Sequence, residues 1–553
     1  SDAAGRNDMA QHSRYASSLA GMIQGLSLDH TPISTLDHAL LSLSRSNQDS
    51  IFTSFSFDLY THTADMDSRT SKNSLLYKNF QKHPAALIES ASGIYLHSSD
   101  GRKILDATSG AAVACLGYDN KEVQQAVIDQ LVSVPYCHPG FYKTKSAEGL
   151  ADFLVESTKG QMSKAVLCGS GSEAVEVALK LAKTHFAHLA IPQPERCHFI
   201  ARVGAWHGAT LGALTLGDFK VRKDPFVQLI SQNSSRVSAC STYRGLRKGE
   251  DEEAFVRRLA QELDDEFQRI GPNKVCAFVA ETVGGSSSGC ATPIKGYFPA
   301  MKAVCEKYGA LLILDEVMCG MGRTGTLHAY EQEDVVPDIL VVGKGLGAGY
   351  APISSVLLNS SLVESFQKSG KGFAHGQTYM AHPQAAAAGL KVQQIIRDTD
   401  LIPHVAKMGA YLGSRLKERL LPMPYVGDIR GRGLFWAVEF VIDKKTKTPF
   451  PYSLGLNAML HSRGMSEGYE IALFNANGGY DGYSGDHFLI CPPFIVTEAD
   501  VDEIVDRTAR VIEDTFAELA SSPVWEKVAI QLDLSQEAPV ADIAVGETLV
   551  SVN

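Results

Sequence analysis

Two short apolar runs, each followed by a charged residue, constrain the fold of this chain more than any other feature. Leu311–Leu314 and Ile339–Val342 contain only apolar residues, as do strands that are buried on both faces of a parallel sheet. Asp315 follows the first run, and Lys344 follows the second between two glycines. Ligands of open α/β sheets bind at the carboxyl ends of the strands, so the carboxylate and the amine are predicted to face one ligand.

An acid and a lysine at two strand ends suit the chemistry of pyridoxal 5'-phosphate. A lysine can hold this cofactor as a Schiff base, and a carboxylate can keep its pyridine nitrogen protonated so that the ring accepts electrons. Taken alone, Lys344 is as easily a surface lysine and Asp315 a capping residue, because most charged side chains are exposed. The residues around the pair favour the cofactor.

Four motifs surround the pair in a fixed order. They are Asp315-Glu316-Val317, Gly322-Arg323-Thr324-Gly325, Pro337-Asp338-Ile339 and Gly343-Lys344-Gly345. With this order and spacing, the chain closely resembles the class III pyridoxal-phosphate-dependent aminotransferases over about residues 76–520. The resemblance implies that Lys344 is the catalytic Schiff-base residue, that Asp315 binds the pyridine nitrogen, and that Val317 packs on the ring.

The same resemblance implies the α/β fold of the type I PLP-dependent transferases. A large lobe would hold a mostly parallel sheet, and a smaller α+β lobe would be built from both chain ends. The predicted parts are an N-terminal extension, the N-terminal part of the small lobe, the large PLP-binding domain, the C-terminal small domain and a tail, at 1–75, 76–140, 141–385, 386–520 and 521–553. The polar extension is predicted to be a disordered tail or, alternatively, a segment that wraps a partner subunit.

A Gly/Ser-rich turn between a predicted strand and a predicted helix is a candidate anion site. It reads Cys168-Gly169-Ser170-Gly171-Ser172 and follows a short apolar run. Backbone N–H groups and the helix dipole at such a turn attract a phosphate, although a simple tight turn would look the same. The turn does not match the Gly-x4-Gly-Lys-Ser/Thr pattern of a P-loop. The resemblance implies that Gly171 and Ser172 bind the cofactor phosphate.

Three further segments match landmarks of the family. In Trp206-His207-Gly208 the aromatic is implied to stack on the pyridine ring, whereas His207 is predicted to be a structural, hydrogen-bonding histidine. Glu281 is implied to lie near the hydroxyl side of the cofactor in an orienting role. Thr378 is implied to reach across a homodimer interface to the partner's cofactor phosphate, so the active site is predicted to be shared between two chains.

The predicted substrate pocket departs from the pattern of family members that use glutamate. Those members pair a glutamate, five positions after the Glu281 equivalent, with an arginine before the Pro-Pro of the C-terminal lobe; here these positions are Ser286 and Leu489. The mobile arginine of amine-type transaminases would fall near Gly482 and is also missing. Because an arginine–carboxylate contact is a strong anchor, we expect an acceptor with one carboxylate. Tyr142 and Leu489 are the predicted pocket residues.

The sequence therefore predicts a transaminase that moves an amino group between an amine or ω-amino compound and a keto acid. Pyruvate and alanine are expected in preference to 2-oxoglutarate and glutamate. An aminomutase or a decarboxylating member of the same fold would carry the same motifs. A catalytically inactive scaffold is a third alternative, against which the intact Asp315, Lys344 and Thr378 argue.

Charge and composition limit the partners and the compartment. The 51 lysines and arginines against 62 acidic residues give a net charge of −11, which argues against nucleic acid or an anionic membrane. No run approaches the roughly 20 apolar residues of a membrane span. The ten cysteines are scattered without a Cys-x-x-Cys pair and favour reduced thiols over disulfides or a zinc site. We expect small-molecule substrates, no metal and a cytoplasmic location, with a mitochondrial one as the alternative.

Overall fold

The computed structural model describes residues 86–523 and 525. Contacts divide the chain into two units, Ser1–His83 and Pro84–Asn553, and every described residue belongs to the second. The extension predicted at 1–75 and nearly all of the tail predicted at 521–553 therefore lie outside the described residues. The other predicted domain bounds stay predictions, and the helix Pro383–Asp398 runs across the one at 385.

Strands and helices alternate along most of the described chain. The strands are β1 (Ile88–Ser92), β2 (Tyr95–Ser98), β3 (Lys103–Asp106), β4 (Lys164–Cys168), β5 (His198–Arg202), β6 (Ser234–Val237), β7 (Val275–Glu281), β8 (Leu311–Glu316), β9 (Ile339–Val342), β10 (Ser354–Leu358), β11 (Val426–Arg432), β12 (Phe435–Phe440), β13 (Ile471–Ala472), β14 (Phe474–Ala476) and β15 (His487–Ile490). The longer helices are Lys121–Ser133, Lys145–Ser157, Gly171–His188, Glu252–Ile270, Tyr297–Lys307, Ser360–Ser369, Pro383–Asp398, Leu401–Leu420, Leu456–Gly464 and Glu498–Ala520. Shorter helices are Ser109–Ala112, Leu211–Leu216, Lys220–Lys223 and Thr242–Gly245.

A seven-stranded sheet forms the centre of the large lobe, with the spatial order β4-β10-β9-β8-β7-β5-β6. Strand β10 is antiparallel to both of its neighbours, and the strands from β9 to β6 are parallel. Every residue of β7, β8 and β9 is buried, which confirms the prediction made from the apolar runs. The parallel arrangement places the carboxyl ends of these three strands at the same edge of the sheet.

Helices cover both faces of this sheet, and the central strands β7, β8 and β9 are apolar over most of their length for that reason. Successive side chains of a strand point to opposite faces. Leu312 and Leu314 of β8 belong to one buried apolar cluster, and Leu311 and Ile313 belong to another. The first cluster includes residues of the helices Glu252–Ile270 and Tyr297–Lys307, and the second includes the helix Gly171–His188.

The helix Glu252–Ile270 shows how a charged segment contributes to the core. The Asp251 side chain accepts a hydrogen bond from the N–H of Ala254 at 2.7 Å and caps the first turn. Gly271 ends the helix with a φ of 97°, which glycine adopts readily. Its buried apolar residues recur about every four positions and form one face that packs on the sheet, namely Phe255, Leu259, Leu263 and Phe267.

Two four-stranded sheets make up the smaller α+β part of the fold. One has the order β1-β2-β3-β13, and the other, fully antiparallel, has the order β11-β12-β15-β14. Strand β13 pairs in parallel with β3, so a segment near residue 471 completes a sheet that begins near residue 88. This confirms the prediction that the smaller lobe is built from both ends of the folded chain.

Candidate active site

Three polar side chains lie at the carboxyl ends of β7, β8 and β9. Glu281 and Asp315 are register partners on β7 and β8, and Asp315 is also opposite Val341 on β9. Lys344 begins a 3₁₀ turn two residues after β9 ends. Glu281 and Asp315 are buried, and their charges act on the Lys344 amine. The structure therefore brings together the acid and the amine that the sequence predicts to face one ligand.

Lys344 is held in a constrained position with a perturbed amine. Removal of the amine from water lowers its pKa from the ordinary value of a lysine, although the nearby carboxylates of Asp315 and Glu281 favour the charged form. The backbone at Lys344 has a φ of 45°, in the left-handed region that residues other than glycine seldom adopt. Behind the turn, the Gln393 side chain donates a hydrogen bond to the carbonyl oxygen of Gly345 at 3.1 Å.

Both oxygens of the Asp315 carboxylate contact the protein. Oδ1 accepts a hydrogen bond from the backbone N–H of Val317 at 3.0 Å, and Oδ2 lies 2.8 Å from Nδ1 of His207. Because an ionised carboxylate only accepts, His207 donates through Nδ1. His207 is buried, and its Nε2 has no hydrogen-bond partner among the residues that the structure describes. These contacts fix the direction in which the carboxylate points.

Glu281 connects the strand end to the loop that carries Trp206. Its Oε1 accepts a hydrogen bond from the Trp206 backbone N–H at 3.1 Å, and its Oε2 accepts one from the Gly285 N–H at 2.7 Å. Burial raises the pKa of Glu281, and the neighbouring charge of Asp315 acts in the same direction. The described contacts of Glu281 are thus those of a residue that positions a loop.

The turn between β4 and the helix Gly171–His188 has the features of an anion site. The helix is 18 residues long, and the Ser170 hydroxyl caps it by accepting a hydrogen bond from the Glu173 N–H at 3.2 Å. The Ser172 hydroxyl oxygen accepts a hydrogen bond from the Ala209 N–H at 3.0 Å, which leaves the hydroxyl proton available to a ligand.

Val317 lies between this turn and the turn that carries Lys344. A Cβ on Gly171 would be 2.7 Å from Cγ1 of Val317, which is closer than real Cβ atoms approach. A Cβ on Gly343 would be 3.3 Å from the same atom. Glycine at 171 therefore lets the helix start come directly against Val317, so the predicted phosphate turn and the predicted ring contact border one space.

Trp206 is partly buried and has an aromatic and a cationic neighbour. The Phe219 ring meets it edge-on with 6.2 Å between ring centroids. The guanidinium carbon of Arg222 lies 4.9 Å from the centroid of the Trp206 ring, which is cation–π distance. The sequence analysis did not single out Arg222.

The remaining predicted site residues are Thr378, Tyr142 and Leu489. Thr378 is exposed, and its carbonyl oxygen accepts a hydrogen bond from the Tyr136 hydroxyl at 3.0 Å. Tyr142 is 65% exposed. Leu489 is fully buried in an apolar cluster with Val283 and Met318. Within the described chain, neither Thr378 nor Tyr142 is packed into the site.

His207 is the residue whose contact the sequence analysis missed. It was expected to make structural hydrogen bonds, and its partner is the Asp315 carboxylate, 108 positions away. In the family motif Trp206-His207-Gly208, His207 is adjacent to the residue implied to stack on the ring. This adjacency is the sequence feature that could have indicated a position of His207 in the active site.

The described residues contain neither a membrane-spanning helix nor a cluster of metal ligands. No helix there is long and apolar enough to cross a membrane. No group of three or more histidine, cysteine, aspartate or glutamate side chains in that part of the chain could hold a metal ion. The predicted cytoplasmic location stays a prediction.

A buried acid and a lysine at the carboxyl edge of a mostly parallel seven-stranded sheet define a pyridoxal-phosphate enzyme of fold type I. The chain belongs to the class III aminotransferases, because the model of that family matches residues 76–512. It is 44% identical over 457 residues to an uncharacterized aminotransferase of Schizosaccharomyces pombe, which covers 83% of this chain and 98% of that protein.

Solved transaminases have the same fold. The omega transaminase from Pseudomonas jessenii in complex with PMP has a TM-score of 0.73 and 32% sequence identity, covering 79% of this chain and 96% of that one. A transaminase solved with L-Ala has a TM-score of 0.72 and 33% identity, covering 78% of this chain and 100% of that one.

Class III aminotransferases use pyridoxal 5'-phosphate, and the residues at this site fit that cofactor. Asp315 would offer a buried carboxylate to the pyridine nitrogen, and Lys344 would offer an amine with a lowered pKa to the carbonyl carbon. The helix start at Gly171 and the Ser172 hydroxyl would offer donors to the phosphate.

Proposed function

We propose that this aminotransferase moves an amino group from an amine or ω-amino compound to a keto acid with one carboxylate, and that it prefers pyruvate to 2-oxoglutarate. The observation that carries the preference is the environment of positions 286 and 489. Leu489 is fully buried among apolar side chains, and the Ser286 carbonyl oxygen lies 2.7 Å from Nε2 of His487. Neither position offers a cation to a second carboxylate.

The second carboxylate of 2-oxoglutarate would bind at an energetic cost. A carboxylate that leaves water without a cationic partner loses its hydration and gains no charge-assisted hydrogen bond in return. Pyruvate carries only one carboxylate and avoids this cost. The structural likeness to a transaminase solved with L-Ala, the amino acid that corresponds to pyruvate, supports this choice.

The residues of this chain have separate roles in the proposed reaction. When bound, pyridoxal phosphate supplies an electron-accepting ring that stabilises negative charge on the substrate carbon. Lys344, with its lowered pKa, takes the proton from the substrate carbon as a base and returns a proton as an acid. Asp315, held by His207 and Val317, would pair with the pyridine nitrogen of the bound cofactor. Glu281 holds the Trp206 backbone, which would place Trp206 against the ring.

The test is a steady-state comparison of acceptors with one fixed amine donor. Pyruvate and 2-oxoglutarate are supplied in turn, and kcat/KM is measured by formation of alanine or glutamate. We expect pyruvate to be favoured by about 10-fold or more, which corresponds to one lost charge-assisted contact. The Lys344→Ala variant gives the baseline without turnover. A preference for 2-oxoglutarate would exclude the proposed acceptor while leaving the aminotransferase assignment intact.

We also propose that two copies of this chain form a homodimer with a shared active site. The segments around Tyr136 and Thr378 carry exposed aromatic side chains, and the Tyr136 and Tyr379 rings lie 6.2 Å apart. Phe141 is 78% exposed and Tyr379 is 61% exposed. Contiguous exposed apolar surface of this kind is typical of a protein interface. Thr378 lies within it, where a partner's cofactor phosphate would be within reach.

The other activities predicted from the sequence gain no support. The relatives and the solved neighbours are aminotransferases or transaminases, and none of the comparisons favours an aminomutase, a decarboxylating enzyme or an inactive scaffold.

A further inference from the structure

Arg222 is a partly buried arginine without an anionic partner. Within the described part of the chain, its side chain forms neither an ion pair nor a hydrogen bond to an acceptor. Burial lowers its pKa, and no neighbouring carboxylate raises it. Two nearby cations, in contrast, have hydrogen-bond acceptors. Lys223 and Arg236 both donate to the backbone carbonyl oxygen of Gly217 at 2.7 Å.

The position of Arg222 connects it to the active site. Its guanidinium carbon lies 4.9 Å from the centroid of the Trp206 ring and 5.7 Å from that of the Phe219 ring. Trp206 is the residue implied to cover the pyridine ring, and its backbone N–H is hydrogen-bonded to Glu281, the register partner of Asp315. Arg222 therefore contacts the aromatic side chain that borders the reacting centre.

The loop at 478–485 packs against the segment that carries Arg222. A Cβ on Gly478 would be 2.9 Å from the Phe219 ring, and a Cβ on Gly482 would be 2.7 Å from Cγ of Lys220. The Tyr483 hydroxyl donates a hydrogen bond to the Asp224 carboxylate. Position 482 is where the mobile arginine of amine-type transaminases would fall, so the segment 219–224 that carries Arg222 packs beside that position, with Lys220 in direct contact with it.

We propose that Arg222 is the residue that binds the substrate carboxylate, supplied from the segment 219–224. This inference rests on the proposed function, because it names the anchor for the single carboxylate of the keto acid and of its amino acid product. A guanidinium forms two parallel hydrogen bonds to a carboxylate, and stacking on Trp206 holds its plane in place. In the absence of a carboxylate the guanidinium stays on the indole face, which explains how it is stable without an anionic partner.

This arrangement accounts for both substrate classes of the proposed reaction. An amino acid or keto acid pairs its carboxylate with Arg222, which compensates the loss of hydration of both charges. An amine without a carboxylate leaves Arg222 on Trp206 and presents its apolar substituent instead. One side chain thus serves two kinds of substrate.

The experiment compares two donors that differ only in the carboxylate, namely L-alanine and propan-2-amine. Single-turnover rates are measured with wild-type holoenzyme, Arg222→Met and Arg222→Lys. We expect Arg222→Met to lower the second-order rate constant of the half-reaction with L-alanine by about 100-fold, as the loss of a paired charge does, and to change the value for propan-2-amine by less than about 3-fold. Arg222→Lys keeps the charge but loses the two parallel hydrogen bonds. Its rate constant for L-alanine should lie between those of the wild type and Arg222→Met.

A binding measurement gives a readout that does not depend on turnover. Calorimetric titration of each holoenzyme with propanoate should give a dissociation constant about 100-fold weaker for Arg222→Met than for the wild type. Arg247→Met, which removes an exposed arginine elsewhere, should bind propanoate as the wild type does and controls for net charge.

The outcomes separate this inference from the proposed acceptor. Equal losses for L-alanine and propan-2-amine in Arg222→Met would assign Arg222 to support of Trp206 and overturn the inference, as would unchanged propanoate binding. If the wild type instead prefers 2-oxoglutarate to pyruvate, the proposed acceptor fails, and the propanoate titration still decides the role of Arg222.

Discussion

His207 and Asp315 form the innermost hydrogen bond of the site, and both side chains are buried. Asp315 can act on a bound ring only if its carboxylate keeps one direction. The Val317 N–H and the His207 imidazole each hold one of its oxygens. A residue that touches no substrate can therefore control the electron demand of the cofactor through the carboxylate that it positions.

The first prediction tests this positioning role. His207→Ala removes the donor to Oδ2 of Asp315 and should lower kcat by about 10- to 100-fold, since a hydrogen bond to a charged group contributes about 1.5–3 kcal/mol. His207→Asn can place its amide N–H near the position of Nδ1 and should retain most of the activity. The pH dependence of the visible absorbance of the bound cofactor is the second readout. A His207→Ala variant with wild-type kcat and an unchanged absorbance profile would contradict the role.

At the scale of elements, the start of the helix Gly171–His188 approaches the end of β8 closely. The approach depends on a missing side chain, because a Cβ on Gly171 would lie 2.7 Å from Cγ1 of Val317. The helix could begin with many residues in isolation, and only its packing on Val317 requires glycine. The same contact sets the distance between the phosphate turn and the predicted ring contact.

The second prediction is a double-mutant cycle on this contact. Gly171→Ala should destabilise the cofactor-free protein by about 1–3 kcal/mol through overpacking and should weaken cofactor binding. Val317→Ala makes room for the added methyl group. The double variant should therefore lose less unfolding free energy than the two single variants lose together. Gly372→Ala, where a Cβ would meet no atom within 4 Å, is the control. Additive effects on the free energy of unfolding would show that the two residues do not press on each other.

The junction between β15 and the helix Leu456–Gly464 carries a buried carboxyl group. Oδ1 of Asp486 accepts a hydrogen bond from the Asn457 N–H at 3.2 Å, and its Oδ2 has no partner among the described residues. Burial raises the pKa of Asp486 from 3.8 to about 7. The folded protein therefore keeps a proton that the unfolded chain releases, and stability falls as the pH rises through this interval.

The third prediction follows from that sign. Between about pH 4 and pH 7, the ionisation of Asp486 should cost about 1.4 kcal/mol of stability per pH unit. Asp486→Asn keeps the acceptor for Asn457 and removes the ionisation, so its Tm relative to wild type should rise as the pH increases from 5 to 8. Asp506→Asn, at an exposed aspartate, should show no such trend. A pH-independent difference between Asp486→Asn and wild type would rule out the buried ionisation.

At the scale of the whole molecule, the proposed site would take one residue, Thr378, from a second chain. Thr378 is exposed on a surface that carries exposed aromatic rings, and the cofactor residues lie at the sheet edge of the same chain. A homodimer would bury the aromatic surface and bring Thr378 to the partner's phosphate turn. The apolar surface would supply the energy of association, and the threonine would supply a contact that depends on it.

The fourth prediction is a complementation test with two inactive variants. Lys344→Ala removes the reacting amine, and Thr378→Glu places a negative charge against the phosphate. If Thr378 serves the partner's site, a mixed dimer contains one site with both residues intact, and a random mixture should recover about a quarter of the wild-type activity. Lys371→Glu, also exposed, should be active by itself. Absence of recovery in dimers shown to be mixed would place Thr378 in its own chain's site or in neither.

Much of the large lobe could be predicted from short stretches of sequence. The strand Ile339–Val342 begins and ends where its apolar run does, and the helix predicted after the Gly/Ser-rich turn begins at Gly171 with the Ser170 side chain as its cap. Fully apolar runs and capping residues act over a few positions, so a local pattern is enough to identify them.

The contacts within the site could not be predicted in the same way. The sequence identified Trp206 and His207 by family motif but gave no partner for either. Arg222 belongs to no motif that the sequence analysis used, and its relation to Trp206 depends on how the segment after Gly217 folds back. Charged residues are mostly exposed, so one that lies without an anionic partner beside the site is visible only when its neighbours are known.

The sequence by itself determined the chemistry available to this protein: an acid and a lysine after two buried strands, a glycine-rich turn before a helix, and the family to which they belong. Only the tertiary structure decided that His207 holds Asp315, that Val317 presses on Gly171, and that Arg222 rests on Trp206. The reason is physical, because residue type and local pattern fix what a side chain can do, whereas the packing of distant elements fixes which groups it meets.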